Sequence, residues 1–417
     1  MSQHDIVVVG AGPSGLIASF EAARRGANVL ILEEDSVVGK PVHCAGLVSV
    51  KGLSLLNLHG DYIQGSAKGA ILHSPSGLQI RIEARRDVAY VIDRAKFDQT
   101  LAKRAIEAGA ELACRAKALK ILWEKMRVAG IEVTLNGVRV EIKAKVTIDA
   151  EGARFKLLRE AGLNPPKLSL LYPAAQVEVE GADVEENMVE LFFGEQWAPG
   201  FFAWIIPHRE GCRVGLASKV GMAKTLLERF IKKHPEASTK LRRVKVKEVS
   251  GGLLVLGGPA PRTYKEGFLA VGDAAGHVKP TTGGGVVFGG LSAKIAGEEA
   301  AMAALRGDRE AFARYERRWR KIIGGELKWM SRLRTYLSSL DDRELDHLFA
   351  SALKLKLEEE LAIKGDMDFQ ALTMKKLLKA PRLAPLLFRV AMGLAIETFK
   401  TSSEVRGEDS STAVENV

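Results

Sequence analysis

This sequence has few cysteines. It also has no long apolar run and no export signal at its start. The only cysteines, Cys44, Cys114 and Cys212, are scattered over 417 residues. This excludes a disulfide scaffold and leaves too few thiolates for a conventional iron–sulfur cluster. No stretch approaches the roughly 18 to 20 consecutive apolar residues of a membrane-spanning helix. The chain begins MSQHDIVVVG, which is typical of an opening strand and not of a secretion signal. We therefore expect a soluble, cytoplasmic protein.

Acidic residues are outnumbered by basic ones. The chain has 61 Lys and Arg against 51 Asp and Glu, a formal net charge of +10. The basic residues are not interleaved with aromatic ones as in nucleic-acid-binding surfaces, so nucleic acid is not an expected partner. They concentrate in segments 229–247 and 314–334. These segments indicate a solvated basic face, and peripheral contact with an anionic membrane surface is the alternative they leave open.

The N-terminal segment has the pattern of a nucleotide-binding unit. The apolar run DIVVVG predicts a buried parallel strand ending at Gly10, the loop GAGPSG opens a helix, and a second apolar run leads to Glu33. In this context Gly10 permits a tight turn, Gly12 lets the backbone approach a pyrophosphate, and Gly15 lets the helix pack on the strand. Ser14 shares the loop, and the helix N-terminus faces the phosphates. Glu33 is placed to accept a hydrogen bond from a ribose hydroxyl, so the unit predicts a dinucleotide site and not merely a tight glycine turn.

A second motif narrows the choice of dinucleotide. VGDAAGHVKPTTGGG (271–285) has an aspartate directly after a buried strand, then a turn rich in glycine, then a helix. Here the sequence resembles the FAD-dependent enzymes built like the aromatic hydroxylases. The resemblance implies that Asp273 binds the ribityl chain of FAD; a capping aspartate before an ordinary helix is the alternative. It also implies that three backbone positions lie near the isoalloxazine ring: Gly284, Gly285 and Val286.

Three further segments match the same enzymes. Arg94 stands where their Arg-x-x-Phe-Asp helix begins, which implies contact with the flavin pyrophosphate; a surface arginine at a helix start is the alternative. The backbone of Ala118 would face the adenine by the same resemblance. IDAEGARF (148–155) resembles their A-D-G-x-x-S segment, with Glu151 and Phe155 in place of the usual Asp and Ser.

Two other segments indicate a subfamily. VVGKPVHCAGLVS (37–49) and PGFFAWIIPHREGCRVGLA (199–217) together resemble the geranylgeranyl reductases. The pattern of these enzymes is aromatic-x-Trp-x-Phe-Pro, then seven or eight residues, then Gly-x-Gly. This sequence departs from it at Ile206 and Ala217, which replace the Phe and the last Gly.

The resemblance assigns roles to this loop and this strand. It implies that the flavin is contacted by Cys44, Ala45 and Gly46. It implies that a polyprenyl substrate is contacted by Phe202, Trp204 and Pro207. Such a chain carries no charge, so shape and apolar area must bind it. We predict Cys44 and Trp204 as catalytic residues, with the Cys44 thiol as proton donor. The alternatives are a small buried cysteine and aromatic side chains that belong to the core.

The implied function is an FAD-dependent reductase that saturates C=C bonds of geranylgeranyl chains, on archaeal-type glycerol ether phospholipids, by hydride transfer from reduced flavin. No second G-x-G-x-x-G follows a later strand, so the electron donor, NAD(P)H or a ferredoxin, is expected to dock transiently. The basic, apolar segment 374–400 would collect substrate from a membrane or pack as a terminal helix. The alternatives are a flavin-dependent halogenase, an aromatic hydroxylase, or a non-catalytic membrane-associated electron carrier. No metal site is predicted.

The expected fold class is α/β. A Rossmann-like FAD-binding domain of the glutathione-reductase or aromatic-hydroxylase type would carry an inserted antiparallel β-sheet substrate domain and a C-terminal helical region. We expect the FAD-binding domain to span 1–165 and 257–305, with a short substrate-domain hairpin near 66–90. The remaining expected boundaries are 166–256 for the substrate domain, 306–400 for the helical region and 401–417 for a disordered tail.

Overall fold

The computed structural model describes residues 3–394. Its strands, in chain order, are Gln3–Val9 (β1), Val29–Leu32 (β2), Leu47–Ser49 (β3), Ile63–Ala67 (β4), Gly69–His73 (β5), Gln79–Glu83 (β6), Ala89–Ile92 (β7), Glu111–Ala113 (β8), Ala116–Glu124 (β9), Arg127–Leu135 (β10), Val138–Asp149 (β11), Leu171–Glu180 (β12), Met188–Phe192 (β13), Ala203–His208 (β14), Gly211–Ala217 (β15), Lys245–Val255 (β16), Tyr264–Lys265 (β17) and Phe268–Ala270 (β18).

The helices follow the same order, and a π-helical turn at Arg320–Gly324 joins the eighth to the ninth. They are Pro13–Ala23 (α1), Val50–Leu55 (α2), Arg94–Glu107 (α3), Lys156–Glu160 (α4), Ala223–Lys233 (α5), Ala237–Lys240 (α6), Val286–Arg306 (α7), Glu310–Trp319 (α8), Gly325–Ser339 (α9), Asp342–Lys354 (α10), Leu357–Lys364 (α11) and Gln370–Leu377 (α12). After a short 3-10 turn at Pro381–Leu383, residues 384–394 are helical.

The first sheet has a parallel centre. Its order is β17-β18-β11-β1-β2-β8, and β1 pairs in parallel with both β2 and β11. The side chains of β1 alternate between two cores: Ile6 and Val8 pack in one, Val7 and Val9 in the other. A strand buried on both faces needs apolar residues at every position, which explains the unbroken run IVVV at 6–9. The glycine loop therefore begins at the carboxyl edge of a central parallel strand, where ligands bind in such sheets.

We call the second sheet, which is built from the segments expected to form a substrate domain, the substrate sheet. Its order is β16-β12-β15-β14-β13-β5-β6, with antiparallel pairing throughout except for the parallel pair β13–β5. The hairpin β5–β6 falls within the segment 66–90 and joins this sheet. A small third sheet, β3-β7-β4, carries the chain between the two. The α/β fold class with an inserted, largely antiparallel sheet and C-terminal helices is confirmed.

The C-terminal helices return over both sheets. Helix α11 packs against β6, and α12 packs against α9. None of the helices among residues 3–394 is both long and apolar enough to cross a membrane. The end of segment 374–400 and the expected tail lie outside the described residues.

Candidate active site

A cavity of about 950 Å³ runs from the glycine loop, across the substrate sheet, to the C-terminal helices. This volume is near the upper end for small-molecule sites. One end is lined by the glycine loop and by the loop that follows β18, and the other by apolar side chains of the sheet and of α10–α12. The cavity therefore joins a polar cradle to an apolar chamber.

The three motif glycines are required for two different reasons: Gly10 and Gly15 for close backbone packing, and Gly12 for an open approach to the cavity. At Gly10, whose φ is +99°, an added Cβ would lie 2.4 Å from the Ala150 carbonyl oxygen, and at Gly15 it would lie 2.0 Å from the Gly10 oxygen. Both positions are closed by neighbouring backbone. Gly12 has nothing within 4 Å of its added Cβ and lines the cavity, as Ser14 and Gly15 also do. A phosphate would therefore approach the backbone at Gly12, next to the free N–H groups at the start of α1.

Glu33 ties the second strand to this loop. Its Oε2 accepts a hydrogen bond from the Ala11 N–H at 2.8 Å, and its Oε1 accepts one from the Asp35 N–H at 2.9 Å. Glu33 lines the cavity. Because a carboxylate has about four acceptor sites, it has capacity left for a ribose hydroxyl.

The opposite wall of the cradle comes from the loop after β18. Asp273, Gly284, Gly285 and Val286 line the cavity, and the Asp273 Oδ1 would lie 2.7 Å from a Cβ at Gly285. Burial raises the pKa of the Asp273 carboxyl, and nearby Arg94 opposes that rise. Helix α7 begins at Val286 with its free N–H groups at this wall. The sequence thus brings a carboxyl group and a helix N-terminus to one side of the cradle.

Arg94 joins the cradle to the loop that contains Cys44. Its guanidinium donates to both oxygens of Asp98, at 3.2 and 2.9 Å. Burial lowers the pKa of Arg94, but the charges of Asp98 and of the Cys44 sulfur raise it further than burial lowers it. The Cys44 Sγ also accepts a hydrogen bond from the Gly46 N–H at 3.4 Å. Cys44 therefore faces the cavity with a cation beside it.

A buried arginine of the substrate sheet holds this loop in place. Arg213 of β15 is 3% exposed and donates to the carbonyl oxygens of Ala45 and Ile92, at 2.8 and 3.0 Å. It also donates to Glu178 and Gln64, each at 2.6 Å. The Cys44 loop is thus attached to the substrate sheet, and a Cβ at Gly46 would lie only 2.3 Å from the Arg213 Nη1.

Strand β14 and the residue that precedes it contribute two aromatic side chains to the cavity. Trp204 and Phe202 line it, and the Trp204 Nε1 donates to the Gln176 Oε1 at 3.2 Å. Phe201 stacks on Phe202 with ring centroids 4.1 Å apart, on the side away from the cavity, where it also lies under the Arg334 guanidinium. Trp204 is therefore fixed by its one hydrogen bond, while its ring remains available to an apolar ligand.

The apolar chamber is lined by both the substrate sheet and the C-terminal helices. The sheet side, to which the neighbouring third sheet also contributes, consists of small and aliphatic side chains, namely Ala67, Ala70, Ile82, Val88, Val189 and Leu191. The helical side is equally apolar, with Leu348, Leu357, Leu361, Met374, Leu386, Leu387 and Val390. Such a chamber suits a long hydrocarbon chain, because it offers area without charge.

Three predicted site residues are not in the cavity wall. These are Gly10, Ala118 and Pro207, which do not belong to the described residues that line the cavity. Gly10 serves the turn, Ala118 lies in β9 opposite Val133, and Pro207 is buried in β14 opposite Cys212. The remaining predicted site residues line the cavity. Glu151 accepts a hydrogen bond from the Leu157 N–H at 2.8 Å and so caps α4.

Sequence reasoning missed Arg213, Lys279 and the helical side of the chamber. Arg213 lies in a strand whose other residues are apolar or small. A single charged residue in such a strand indicates a buried arginine with specific partners. Lys279 lies inside the glycine-rich motif but gives no local sign of its ion pair with Asp368, 89 residues later. The helices that line the chamber have the amphipathic pattern of any helix packed on a protein core, so their sequences do not indicate a cavity.

Comparison with known proteins places the chain in a family. Residues 5–163 match the model of the FAD dependent oxidoreductases, and residues 171–252 match that of the geranylgeranyl reductase catalytic domain. Digeranylgeranylglycerophospholipid reductase 2 of Methanopyrus kandleri is 35% identical over 357 residues, which cover 83% of this chain and 89% of that protein. The chain belongs to the geranylgeranyl reductase family of FAD-dependent oxidoreductases.

Solved structures share this fold. A geranylgeranyl bacteriochlorophyll reductase-like protein from Thermoplasma acidophilum superposes with a TM-score of 0.81 at 26% identity, over 94% of this chain and 100% of that one. A flavin-dependent brominase superposes with a TM-score of 0.66 at 16% identity, over 97% and 100% of the two chains. The second likeness concerns the fold alone.

Proposed function

We propose that this geranylgeranyl reductase family member saturates C=C bonds of geranylgeranyl chains on archaeal-type glycerol ether phospholipids, with FAD as its cofactor. The observation that carries the proposal is the continuity of one cavity from the dinucleotide cradle to the apolar chamber. A polyprenyl chain in the chamber could thereby extend an alkene to the flavin end. Bound FAD supplies the two-electron reduction chemistry, and this chain supplies orientation and exclusion of water.

The cradle fits FAD. The open backbone at Gly12 and the start of α1 suit the pyrophosphate, which Arg94 would neutralise. Glu33 suits the ribose, and Asp273 suits the hydroxyls of the ribityl chain. The flavin ring would then lie between the Cys44 loop and the start of α7, beside Trp204.

Each saturated bond needs a proton, and we propose the Cys44 Sγ as its donor. Cys44 lines the cavity between the cradle and Trp204. Arg94, whose positive charge interacts with this sulfur, would stabilise the thiolate that remains after donation. The Gly46 N–H, at 3.4 Å, would stabilise it further.

We also propose that the C-terminal helix 384–394 contacts an anionic membrane surface. Its inner face lines the chamber with Leu386, Leu387 and Val390, while its outer face exposes Phe388 (68%) and Met392 (48%). Apolar side chains on both faces of one helix suit a helix between a lipid chamber and a lipid surface. Beside Arg382, which pairs with Glu359 and Glu360, four further exposed basic residues accompany it, and each would add about 1 kcal/mol at an anionic surface: Lys375, Lys376, Lys379 and Arg389.

Vesicle binding tests this contact. We expect the protein to sediment with phosphatidylglycerol vesicles and less with phosphatidylcholine vesicles. Phe388→Glu should weaken binding at least tenfold, since the loss of one inserted aromatic side chain is worth ~1.5–3 kcal/mol. Met126→Glu, at a position 78% exposed in the β9–β10 turn, is the matched control and should bind as the wild type does. Equal binding by both variants would contradict the membrane contact.

The electron donor is proposed to dock transiently, as either a nicotinamide or a ferredoxin. Anaerobic mixing of the oxidised holoenzyme with NADPH, NADH or reduced ferredoxin, followed by flavin absorbance, distinguishes these donors. Bleaching by one of them at a rate that saturates with its concentration identifies the donor.

Product analysis tests the reductase activity. The purified holoenzyme is reduced with excess dithionite under anaerobic conditions and given digeranylgeranylglyceryl phospholipid, and the lipid is followed by mass spectrometry. Stepwise uptake of hydrogen pairs is the expected result. An unchanged lipid in the presence of fully reduced flavin would contradict the proposed function.

A further inference from the structure

A buried ion pair closes the flavin end of the cavity from the C-terminal side. The Lys279 Nζ lies 2.7 Å from the Asp368 Oδ1 and donates to the Met367 carbonyl oxygen at 3.2 Å. Lys279 is 4% exposed and Asp368 is fully buried. Ser49 donates to the other oxygen of Asp368, and the Gly52 N–H donates to the Ser49 oxygen at 2.7 Å. Both oxygens of the carboxylate therefore have partners.

The pair lies where three segments meet. Lys279 belongs to the loop between Asp273 and α7, and Ser49 ends the strand that follows the Cys44 loop. Asp368 belongs to the connection between α11 and α12. A second contact at this junction is solvent-exposed: Lys51, 54% exposed, pairs with Asp366 at 2.5 Å. The junction thus contains an inner pair and an outer pair, and in the outer pair the lysine is exposed while the carboxylate, 9% exposed, lines the cavity.

The two ends of the inner pair differ in their access to the cavity. Lys279 lines it, and Asp368 is not among the described residues that do. The lysine side chain lies over the backbone that precedes α7, because a Cβ at Gly284 would be 2.8 Å from its Cε. The cation therefore faces the flavin cradle, and the carboxylate lies behind it.

Packing stability alone does not explain such a pair. Burial of two charges costs desolvation energy, and apolar residues of similar volume are often as stable. The distinctive property of the pair is the field that it directs into a region where charges are screened far less than in water. Charge next to a flavin ring is one of the means by which a protein tunes its electronics.

We propose that Lys279, oriented by Asp368, raises the reduction potential of the bound FAD by stabilising the negative charge of its reduced form. Uptake of two electrons and one proton leaves the flavin with one additional negative charge, and a cation at the cradle wall favours that state. Lys279 is thus a positioning and electrostatic residue for the reduced cofactor. The inference rests on FAD binding as proposed above.

The midpoint potential of the holoenzyme tests this inference, measured by anaerobic titration with dithionite beside an indicator dye of known potential. Lys279→Met removes the cation and should shift the oxidised-to-reduced equilibrium at least tenfold toward oxidised flavin, which is 29.6 mV for a two-electron couple. Asp368→Asn keeps the cation and removes the opposing charge, so its shift should be toward reduced flavin. The double variant should lie between the two.

Opposite signs separate an electrostatic role from a structural one. A junction that merely loosened would move both single variants in the same direction, and that result would overturn the proposal. Lys51→Met is the matched control: it breaks the outer pair of the same junction and should leave the potential within twofold of wild type in equilibrium constant. A potential unchanged in Lys279→Met would also overturn it. Failure of the wild type to retain FAD would instead contradict the proposed cofactor, and the two failures are therefore distinguishable.

Discussion

Trp204 and Gly215 face each other across β14 and β15, and the indole lies over the glycine backbone. A Cβ at position 215 would be 2.5 Å from the Trp204 Cζ2. The hairpin turns between His208 and Gly211, so its register fixes which residue stands opposite the tryptophan. The spacing between the Trp and Gly of the motif is therefore a packing requirement that keeps an aromatic ring flat against the sheet at the cavity wall.

Gly215→Ala should destabilise the protein by about 1–3 kcal/mol, because the added methyl group overlaps the indole. In a Trp204→Leu background the same substitution should cost about 1 kcal/mol less; the nearby Ala175 carbonyl oxygen, 2.8 Å from the added Cβ, retains part of the cost. Urea unfolding of the four proteins measures this coupling. An equal cost in both backgrounds would contradict the packing account.

Gly12→Val should abolish FAD retention while leaving the fold intact. The position is open to the cavity, where an added Cβ has no described protein atom within 4 Å, so the new side chain occupies the approach of the pyrophosphate. Gly325→Val is the control, since that position also has nothing within 4 Å and lies outside the cavity lining. The flavin-to-protein absorbance ratio after purification measures retention. A fully loaded Gly12→Val protein would argue against the phosphate assignment.

Cys44→Ser should keep FAD bound and slow alkene reduction at least tenfold, because a hydroxyl is a much weaker acid than a thiol at the same site. Cys114→Ser, outside the cavity lining, is the control and should retain wild-type turnover. Single-turnover rates with excess lipid separate this chemistry from binding. Unchanged turnover in Cys44→Ser would leave Cys44 as a small packing residue.

The burial of His277 predicts that the folded protein loses stability in acid. His277 is fully buried, neither ring nitrogen has a hydrogen-bond partner among residues 3–394, and burial lowers its pKa to about 3. Below pH 6.5 the unfolded chain binds a proton that the folded chain refuses, so stability falls as the pH drops from about 6.5 toward 3. His234, with a pKa lowered by burial to about 4, acts in the same direction.

The expected contribution of His277 is about 2 kcal/mol between pH 7 and pH 5, at ~1.4 kcal/mol for each unit of pKa difference. Urea midpoints at both pH values, for wild type and His277→Leu, measure it. The variant should lose that much less stability on acidification. The same pH dependence in both proteins would show that His277 is not the group responsible.

Prediction from sequence succeeded where a motif is local. Gly12, Glu33 and Asp273 each stand at the end of a buried strand, so strand pattern and turn chemistry were enough to bring them to one sheet edge. The fold class followed from the order of these units. The expectation for Ala118 came only by resemblance, and the strand that contains it runs outside the cavity wall.

The remaining features depend on contacts between distant parts of the chain. Arg213 reaches Ala45 across 168 residues, and Lys279 meets Asp368 across 89. No periodicity in either segment encodes its partner. The chamber side of helix 384–394 likewise depends on where the helix docks, because its inner and outer faces are both apolar.

Reoxidation of the flavin by substrate tests the central claim most directly. The holoenzyme is reduced with one equivalent of dithionite under anaerobic conditions and mixed with digeranylgeranylglyceryl phospholipid or with its fully saturated analogue. We predict that the unsaturated lipid restores the oxidised flavin spectrum, with one C=C bond lost for each flavin, and that the saturated lipid leaves the flavin reduced. Flavin that stays reduced with both lipids, or that reoxidises equally with both, would contradict the account.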